Sequence, residues 1–174
     1  MLPSLWVFPL QTSTKLKTWG IFILLAGILL ALDLWTKYWS VDHLMGQADR
    51  QLIPGLIGLT FTRNTGAAFG LFGNFAWGRW VLTVLKIAIM AFLIFYYHKL
   101  PMERRNWVIR IPLIMIFAGG VGNLYDRVVL GYVRDMIEFL FVRFAIFNVA
   151  DIFVTVGCFF LAFVLLFFRR DLLE

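Results

Sequence analysis

Long runs of apolar residues, separated by short polar stretches, dominate the pattern of this chain. Four runs reach the length of about 20 mostly apolar residues that a helix needs to cross the hydrocarbon core of a bilayer. The pattern therefore predicts an α-helical membrane protein with four transmembrane helices, over residues 18–38, 77–97, 108–125 and 149–168. We expect one four-span domain over residues 18–168, with an N-terminal tail over 1–17 and a C-terminal tail over 169–174.

The segment between the first and second runs, residues 39–76, has a different pattern. Its stretch Leu56-Ile-Gly-Leu-Thr-Phe-Thr62 has the composition of a strand, and turn residues lie on both sides, at Pro54-Gly55 and at Asn64-Thr-Gly66. We therefore expect a small β-sheet at the membrane surface.

Composition supports the membrane class. Of the 174 residues, 61% are hydrophobic and only 15% are charged, whereas a soluble domain carries roughly a quarter of charged residues. The net charge of +6 does not indicate a nucleic-acid partner, because the basic residues cluster at the ends of apolar runs. The single cysteine, Cys158, and the widely separated His43 and His98 exclude an internal disulfide and a Cys/His zinc site.

The basic residues predict the orientation of the helices. They precede the first run, lie in the connection between the second and third runs, and follow the fourth, at Lys15, Lys17, Lys99, Arg104, Arg105, Arg110, Arg169 and Arg170. In a four-span chain these three regions share one side, which the positive-inside rule makes cytoplasmic. Both tails are then cytoplasmic, and the polar motifs of segments 39–76 and 126–148 lie outside.

Two carboxylates beside apolar runs are the first candidates for chemistry, since charges next to hydrocarbon are costly. We expect Asp135 in a loop after Gly131, and Asp151 in the first turn of the fourth helix, where the dipole favours a negative charge. Two carboxylates in unlike environments can share a proton and act as base and acid, as in aspartic proteases. Alternatively, Asp135 is a solvated loop charge and Asp151 a helix cap.

The end of the third run, Gly119-Gly-Val-Gly-Asn-Leu-Tyr-Asp-Arg127, holds a second polar group. Its glycines favour close helix packing. Asn123 and Asp126 share a helix face. The helix dipole disfavours Asp126 near a C-terminus, and an adjacent cation such as Arg127 could compensate if its side chain folds back. We expect Asp126 to be a salt-bridged structural residue.

Two further polar positions have open alternatives. Asp33 and Lys37, spaced i and i+4, are either part of the site or an interfacial ion pair in which the lysine reaches towards water. The turn at Asn64 and Gly66 is either an ordinary hairpin turn or a backbone surface that holds an extended peptide.

Five motifs in order resemble those of lipoprotein signal peptidase, or signal peptidase II, an aspartyl endopeptidase of bacterial membranes. They cover nearly all of the chain after about residue 18 and read Asp33-Leu-Trp-Thr-Lys37, Arg63-Asn-Thr-Gly-Ala-Ala-Phe69, Gly119-Gly-Val-Gly-Asn-Leu-Tyr-Asp-Arg127, Val133-Arg-Asp135 and Phe147-Asn-Val-Ala-Asp151. The resemblance implies four transmembrane helices with an outer β-sheet cradle and a short surface helix between the first two spans.

The same resemblance implies a set of site residues. Asp135 and Asp151 would be the catalytic dyad. Residues that bind substrate or order the site would be Asn64, Gly66, Asn123, Arg127 and Asn148, and those that support the structure would be Asp33, Lys37 and Asp126.

The implied activity is cleavage of a prolipoprotein just before its diacylglyceryl-modified cysteine, which releases the signal peptide. No metal or cofactor is implied. We expect a monomer whose partners are this substrate and membrane lipids, located in the bacterial inner or cytoplasmic membrane with its active site outside.

The chain departs from the family pattern at Arg134, where an apolar residue is usual before the first aspartate. In an extended segment Arg134 would point away from Asp135; otherwise it could stabilise the charged form of Asp135. Two other classes remain as alternatives. One is a small transporter or proton-relay protein that uses the ionisable residues Asp33, Lys86, Asp126 and Asp151; the other is a non-enzymatic scaffold.

Overall fold

The computed structural model describes residues 8–66 and 77–168, with side chains over 14–66, 77 and 80–168. In chain order the elements are helix α1 (Phe8–His43), strands β1 (Arg50–Ile53) and β2 (Ile57–Asn64), helix α2 (Gly78–Lys99), a 3₁₀ turn (Arg104–Asn106), helix α3 (Trp107–Val129), strand β3 (Val133–Phe139) and helix α4 (Val149–Phe167).

Four helices of the described residues are long and apolar enough to cross a membrane, over Thr14–His43, Trp80–Lys99, Arg104–Val129 and Val149–Phe167. This confirms the predicted fold class of four spans with a small sheet. Two helices are longer than predicted, since α1 begins at Phe8 and α3 continues to Val129. Asn123, Asp126 and Arg127 therefore lie within the last turns of α3.

Helix α3 is the central helix of the bundle and packs against α1, α2 and α4. Its buried residues include Ile109, Leu113 and Ile114, which form the core together with Phe22 of α1 and Tyr97 of α2. The outer faces of the helices expose large apolar side chains instead. That distribution fits helices whose outer faces contact lipid.

The glycines of α3 let neighbouring helices approach closely. A Cβ atom at Gly119 would collide with the backbone carbonyl of Ala150 in α4, and one at Gly122 would collide with the carboxylate of Asp33 in α1. The structure thus confirms that these glycines serve packing. They also bring the start of α4 and the turn of α1 that holds Asp33 against the polar end of α3.

The three strands form one antiparallel sheet in the order β1-β2-β3. Strand β2 confirms the strand predicted before Asn64. The prediction of a loop at Asp135 is wrong, because Asp135 lies in β3 opposite Thr62 of β2. Gly131, with a φ of 81°, ends α3 and turns the chain into that strand, in a conformation that favours glycine.

The short surface helix expected between the first two spans is not found in residues 44–66 of the described chain. The rest of that connection, residues 67–76, lies outside the described residues, as do Ala67, Ala68 and Phe69 of the second motif and Arg169 and Arg170 of the C-terminal tail.

Candidate active site

Asp135 is held on β3 with almost its entire surface buried, at 1% exposure. Both of its carboxylate oxygens accept amide hydrogen bonds: Asn148 Nδ2 donates to Oδ1 at 2.6 Å, and Asn64 Nδ2 donates to Oδ2 at 2.9 Å. Burial raises the pKa of Asp135 and the charge of Asp151 adds to the rise, while the two amide donors oppose it. The resulting pKa is about 6.

Asp151 lies in the first turn of α4, as predicted, and takes part in its N-terminal cap. Asn148 is the capping residue: its Oδ1 accepts from the Asp151 backbone N–H at 3.0 Å, and the Asn148 backbone N–H donates to Asp151 Oδ2 at 3.2 Å. This reciprocal capping box satisfies backbone donors that the helix start would leave unpaired. It also fixes the Asp151 carboxylate relative to Asn148, which binds Asp135.

Two amide side chains connect the aspartates. Asn123 Nδ2 donates to Asp151 Oδ1 at 2.7 Å, and Asn148 Nδ2 donates to Asn123 Oδ1 at 3.0 Å as well as to Asp135. The two carboxylates, from β3 and α4, therefore belong to one hydrogen-bond network that these asparagines join.

Lys37 fixes the orientation of the Asn123 side-chain amide. The Lys37 ammonium donates to Asn123 Oδ1 at 3.0 Å. Because an ammonium can only donate, it selects the oxygen of the Asn123 amide and turns the NH₂ group towards Asp151. Lys37 also lies 2.9 Å from Asp33 Oδ2 and 3.5 Å from Asp126 Oδ2, and all three charged side chains are fully buried. Of the two alternatives for Asp33 and Lys37, the structure excludes a lysine that reaches towards water, since this ion pair lies inside the bundle.

Asp33 supports the site from α1 in a second way. Its Oδ1 accepts from the backbone N–H of Ala150 at 2.9 Å, so α1 helps to cap α4. Asp126 is salt-bridged, as predicted, but its partner is Arg134 and not Arg127. Arg134 binds it through a terminal guanidinium nitrogen at 2.7 Å, and Lys37 is the second cation beside it.

The extended strand explains the position of Arg134. Successive side chains of β3 point to opposite faces, so Arg134 turns away from Asp135 towards Asp126 and the ring of Tyr38, 4.4 Å away. This confirms the extended alternative. Despite burial, the hydrogen bond to Asp126 and its charge keep the pKa of Arg134 above the ordinary value.

Arg127 points to the other side of α3 and donates to the backbone carbonyl of Gly66. The Gly66 N–H in turn donates to Asn64 Oδ1 at 3.0 Å, which leaves the Asn64 NH₂ group to bind Asp135. Arg127 Nε and one terminal nitrogen are buried without a hydrogen-bond partner among the described residues. The Asn64–Gly66 turn therefore joins the network through Arg127 and Asn64.

A cavity of about 440 Å³ opens beside the two aspartates. Its polar lining consists of Asn64, Lys86, Asn123, Arg127, Asp135, Asp151 and Thr155. Its apolar lining consists of Leu82, Val133, Phe139, Phe144, Ala145, Ile146, Phe147 and Ile152. The size falls within the usual range of ligand-binding sites, and the lining combines an apolar wall with a few polar groups.

A second, smaller cavity of about 270 Å³ meets the first at Asp135. It runs along the end of β2 and is lined by Thr62, Arg63, Asn64, Thr65, Gly66, Asp135, Ala145 and Ile146. Asp135 thus lies where a mostly apolar cavity between helices joins a more polar groove at the end of the sheet.

Most site residues predicted from the sequence come together. Asn64, Asn123, Arg127, Asp135 and Asp151 all line the larger cavity. Asn148 links the aspartates, Gly66 binds Arg127, and Asp33, Lys37 and Asp126 form the buried ion cluster behind them. The catalytic and binding roles of these residues stay predictions.

Sequence reasoning missed two features of the site. Arg134 was not recognised as the partner of Asp126, although alternation along a strand gave its direction. Lys86 was considered only for a proton relay, yet it lines the cavity beside both aspartates. Among the described residues, no three His, Cys, Asp or Glu side chains are grouped as a metal site.

The arrangement can activate water. A pair of carboxylates in a largely buried site can divide the roles of base and acid if one holds a proton and the other does not. Comparison with known sequences gives the family: the model of the peptidase family described as signal peptidase (SPase) II matches residues 11–167. The chain belongs to the signal peptidase II family.

Individual relatives extend this result. The chain is 40% identical to a lipoprotein signal peptidase of Streptococcus pyogenes serotype M5 (strain Manfredo) over 137 residues, which cover 79% of this chain and 87% of the relative. A lipoprotein signal peptidase of S. pyogenes serotype M3 (strain ATCC BAA-595 / MGAS315) is 39% identical over the same length.

Two solved structures, each described as a bacterial membrane enzyme, have a similar fold. One, at 2.3 Å resolution, has a TM-score of 0.70 and 28% identity and covers 84% of this chain and 88% of its own. The other, at 1.9 Å resolution, has a TM-score of 0.71 and 28% identity, and the match covers 86% of this chain and 94% of that structure's chain. Family and fold together identify the chain as a peptidase with several membrane-spanning helices.

Proposed function

We propose that the chain is an aspartyl endopeptidase that removes signal peptides from diacylglyceryl-modified prolipoproteins by cleaving just before the lipidated cysteine. Membership of the signal peptidase II family supports the removal of signal peptides from lipoprotein precursors. The observation that carries the aspartyl mechanism is the connection of Asp135 and Asp151 through Asn148 and Asn123 beside one cavity.

The raised pKa of Asp135 suggests which carboxyl acts as the acid and which as the base. We assign the shared proton to Asp135, whose pKa is raised to about 6, and the role of base to Asp151. Asp151 takes a proton from a water molecule, whose oxygen attacks the carbonyl carbon of the scissile bond, while Asp135 donates its proton to the carbonyl oxygen. The tetrahedral intermediate then returns that proton to Asp135. The amide nitrogen receives the other proton from Asp151, and the C–N bond breaks.

The two adjoining cavities suit a substrate of mixed character. A lipoprotein precursor joins an apolar signal helix to a lipid-bearing cysteine, and we expect the chain after that cysteine to bind in an extended conformation. The apolar cavity would receive the membrane-embedded part, and the groove along β2 would hold the extended peptide. The scissile bond would then lie at the junction, beside Asp135.

The positive-inside pattern of the basic residues supports the orientation. Both termini would be cytoplasmic, and the active site would lie on the outer side of the bacterial cytoplasmic membrane. We propose a monomer that needs no metal or cofactor, since the two carboxyls suffice for the reaction.

The test is cleavage by the purified protein in detergent of two otherwise identical precursors, one carrying diacylglycerol on its cysteine and one not. We expect cleavage only of the lipidated precursor, before the modified cysteine, with no effect of a chelator. Equal cleavage of both precursors would contradict lipid-dependent specificity, and loss of activity on chelation would contradict the aspartyl mechanism.

A further inference from the structure

Lys86 is a charged residue within a membrane-spanning helix for which the mechanism above has no use. It lies in α2, eight residues after Gly78, or about 12 Å along the helix at a rise of 1.5 Å per residue. The side chain is partly buried and lines the cavity that Asp135 and Asp151 also line. Its charge interacts with both aspartates and with Arg127.

Lys86 differs from Lys37, the other lysine near the site. Lys37 is enclosed by Asp33, Asp126 and Asn123 and has no surface left for a ligand. Lys86 has neither a hydrogen bond nor a salt bridge to any residue that the structure describes. A cation placed in a span is costly, and the partners that offset this cost for Lys37 are lacking for Lys86.

The surroundings of Lys86 define what it could bind. The neighbouring cavity wall is mostly apolar, with Leu82 one turn earlier on α2 and Ile152 and Thr155 on α4. A lysine ammonium offers three donors and no acceptor, so its ligand must supply oxygen acceptors. A ligand that fits an apolar cavity and still carries acceptors is one with isolated carbonyl groups in an apolar body.

The substrate of the proposed function has such groups in two places. The signal helix ends near the cleavage point, and the last turn of a helix leaves up to about four carbonyl oxygens without a partner. The diacylglyceryl group carries two ester carbonyls. In hydrocarbon either kind of oxygen is costly when unpaired, so a donor inside the cavity would favour binding.

We propose that Lys86 is a substrate-binding residue that donates hydrogen bonds to carbonyl oxygens of the membrane-embedded part of the substrate. Arg127, which has two nitrogens without a hydrogen-bond partner among the described residues, lines the same cavity. Lys86 thereby holds the apolar part of the substrate so that the scissile bond lies at the aspartates. This inference rests on the proposed function, because it takes the substrate from it.

The experiment measures binding and turnover of the lipidated precursor by four forms of the full chain: wild type, Lys86→Met, Lys86→Arg and Lys99→Met. Methionine keeps the length of lysine and removes its charge. Lys99 provides the matched control, since it lies at the end of the same helix over the ring of Phe95 and outside the cavity. Dissociation constants are measured in an Asp135→Asn background, where the precursor is not cleaved.

We expect Lys86→Met to raise Kd and KM on the order of tenfold, as for the loss of a hydrogen bond to a charged group. The kcat should change little, because the bond is the same in ground and transition states. Lys86→Arg should restore binding to within a few-fold of wild type, and Lys99→Met should match wild type.

A second substrate identifies the source of the carbonyl groups. In a precursor that carries alkyl chains attached through ether bonds in place of the acyl chains, the ester carbonyls are absent. If Lys86→Met no longer weakens binding of that precursor, the ester carbonyls are the ligand. If the effect persists, the ligand is the signal-peptide backbone.

Two results would overturn the proposal. One is that, for each of the two precursors, wild type and Lys86→Met have the same Kd. The other is a changed pH profile of kcat with Kd unaltered, which would make Lys86 an electrostatic neighbour of the aspartates only. Failure of the proposed function would appear differently, as absence of cleavage by wild type. In that case the Kd comparison still decides whether Lys86 binds the lipidated precursor.

Discussion

Arg134 binds the Asp126 carboxylate through three nitrogens. Its backbone N–H and Nε donate to Oδ2 at 3.0 and 3.2 Å, and a terminal guanidinium nitrogen donates to Oδ1 at 2.7 Å. Because Arg134 directly precedes Asp135, this pair fixes the start of β3 against the end of α3. The residue that departs from the family pattern therefore acts on the position of Asp135 from the opposite face of the strand.

Breaking this pair should destabilise the fold. Arg134→Met leaves Asp126 buried with Lys37 as its remaining cation, and removal of one partner of a buried ion pair costs about 3–5 kcal/mol. We expect a clearly lower unfolding temperature in detergent for Arg134→Met and for Asp126→Asn. Arg105→Met, which breaks the exposed pair with Glu103, should leave the unfolding temperature unchanged.

Unfolding of Arg134→Met at the wild-type temperature would show that the pair does not support the fold. A folded but inactive Asp126→Asn protein would instead point to Asp126 as a member of the catalytic pair.

The pairing of charges in the buried cluster of Asp33, Lys37, Asp126 and Arg134 could be predicted from the sequence only in part. Hydrophobic runs predict the four spans, and strand composition with flanking turn residues predicts β2. Period-two alternation predicts the direction of Arg134 only if the segment is extended, which the sequence leaves open. Neighbours along α3 suggest Arg127 as the cation beside Asp126, but the partner is Arg134 of β3. Arg134 lies three residues after the turn at Gly131, and the geometry of that turn decides which residue of β3 contacts Asp126.

Contacts between elements that are far apart in the sequence could not be predicted either. Lys37 of α1 binds Asn123 of α3, and Asn64 of β2 binds Asp135 of β3. Both contacts depend on which helices and strands are neighbours, and hydrophobic periodicity does not specify this. For the same reason the sequence leaves open whether Lys37 reaches towards water or belongs to the site, and the structure shows it fully buried.

Asn148 has two separable roles, as the cap of α4 and as a donor to Asp135. Serine is also a good N-cap but is too short to replace the amide that binds Asp135. We expect Asn148→Ala to lose about 1 kcal/mol or more of stability and most of the activity. Asn148→Ser should recover much of the stability while its activity stays low, as measured by unfolding in detergent and by cleavage of the lipidated precursor. Full activity in Asn148→Ser would show that the bond to Asp135 is dispensable.

The pKa of Asp135 predicts a pH dependence of stability. The folded value of about 6 exceeds the ordinary value of 3.8, so the folded state binds this proton more tightly than the unfolded state. The resulting stabilisation is complete below about pH 4 and is lost as the pH rises through 6. Relative to Asp135→Asn, which does not titrate, the wild-type free energy of unfolding should fall by up to about 3 kcal/mol between pH 4 and 7.

Unfolding of both proteins in detergent at several pH values measures this difference. A difference that stays constant across the range would show that the pKa of Asp135 is the same in the folded and unfolded states.

The most direct test of the catalytic pair compares cleavage of the lipidated precursor by wild type, Asp135→Asn, Asp151→Asn and the control Asp49→Asn, whose carboxylate is exposed outside the cavity. Asparagine keeps the shape of aspartate but neither accepts nor donates the catalytic proton. We expect both dyad variants to fold in detergent and to lose roughly 1,000-fold or more of the cleavage rate, and Asp49→Asn to match wild type. A wild-type rate in either Asp135→Asn or Asp151→Asn would contradict catalysis by this pair.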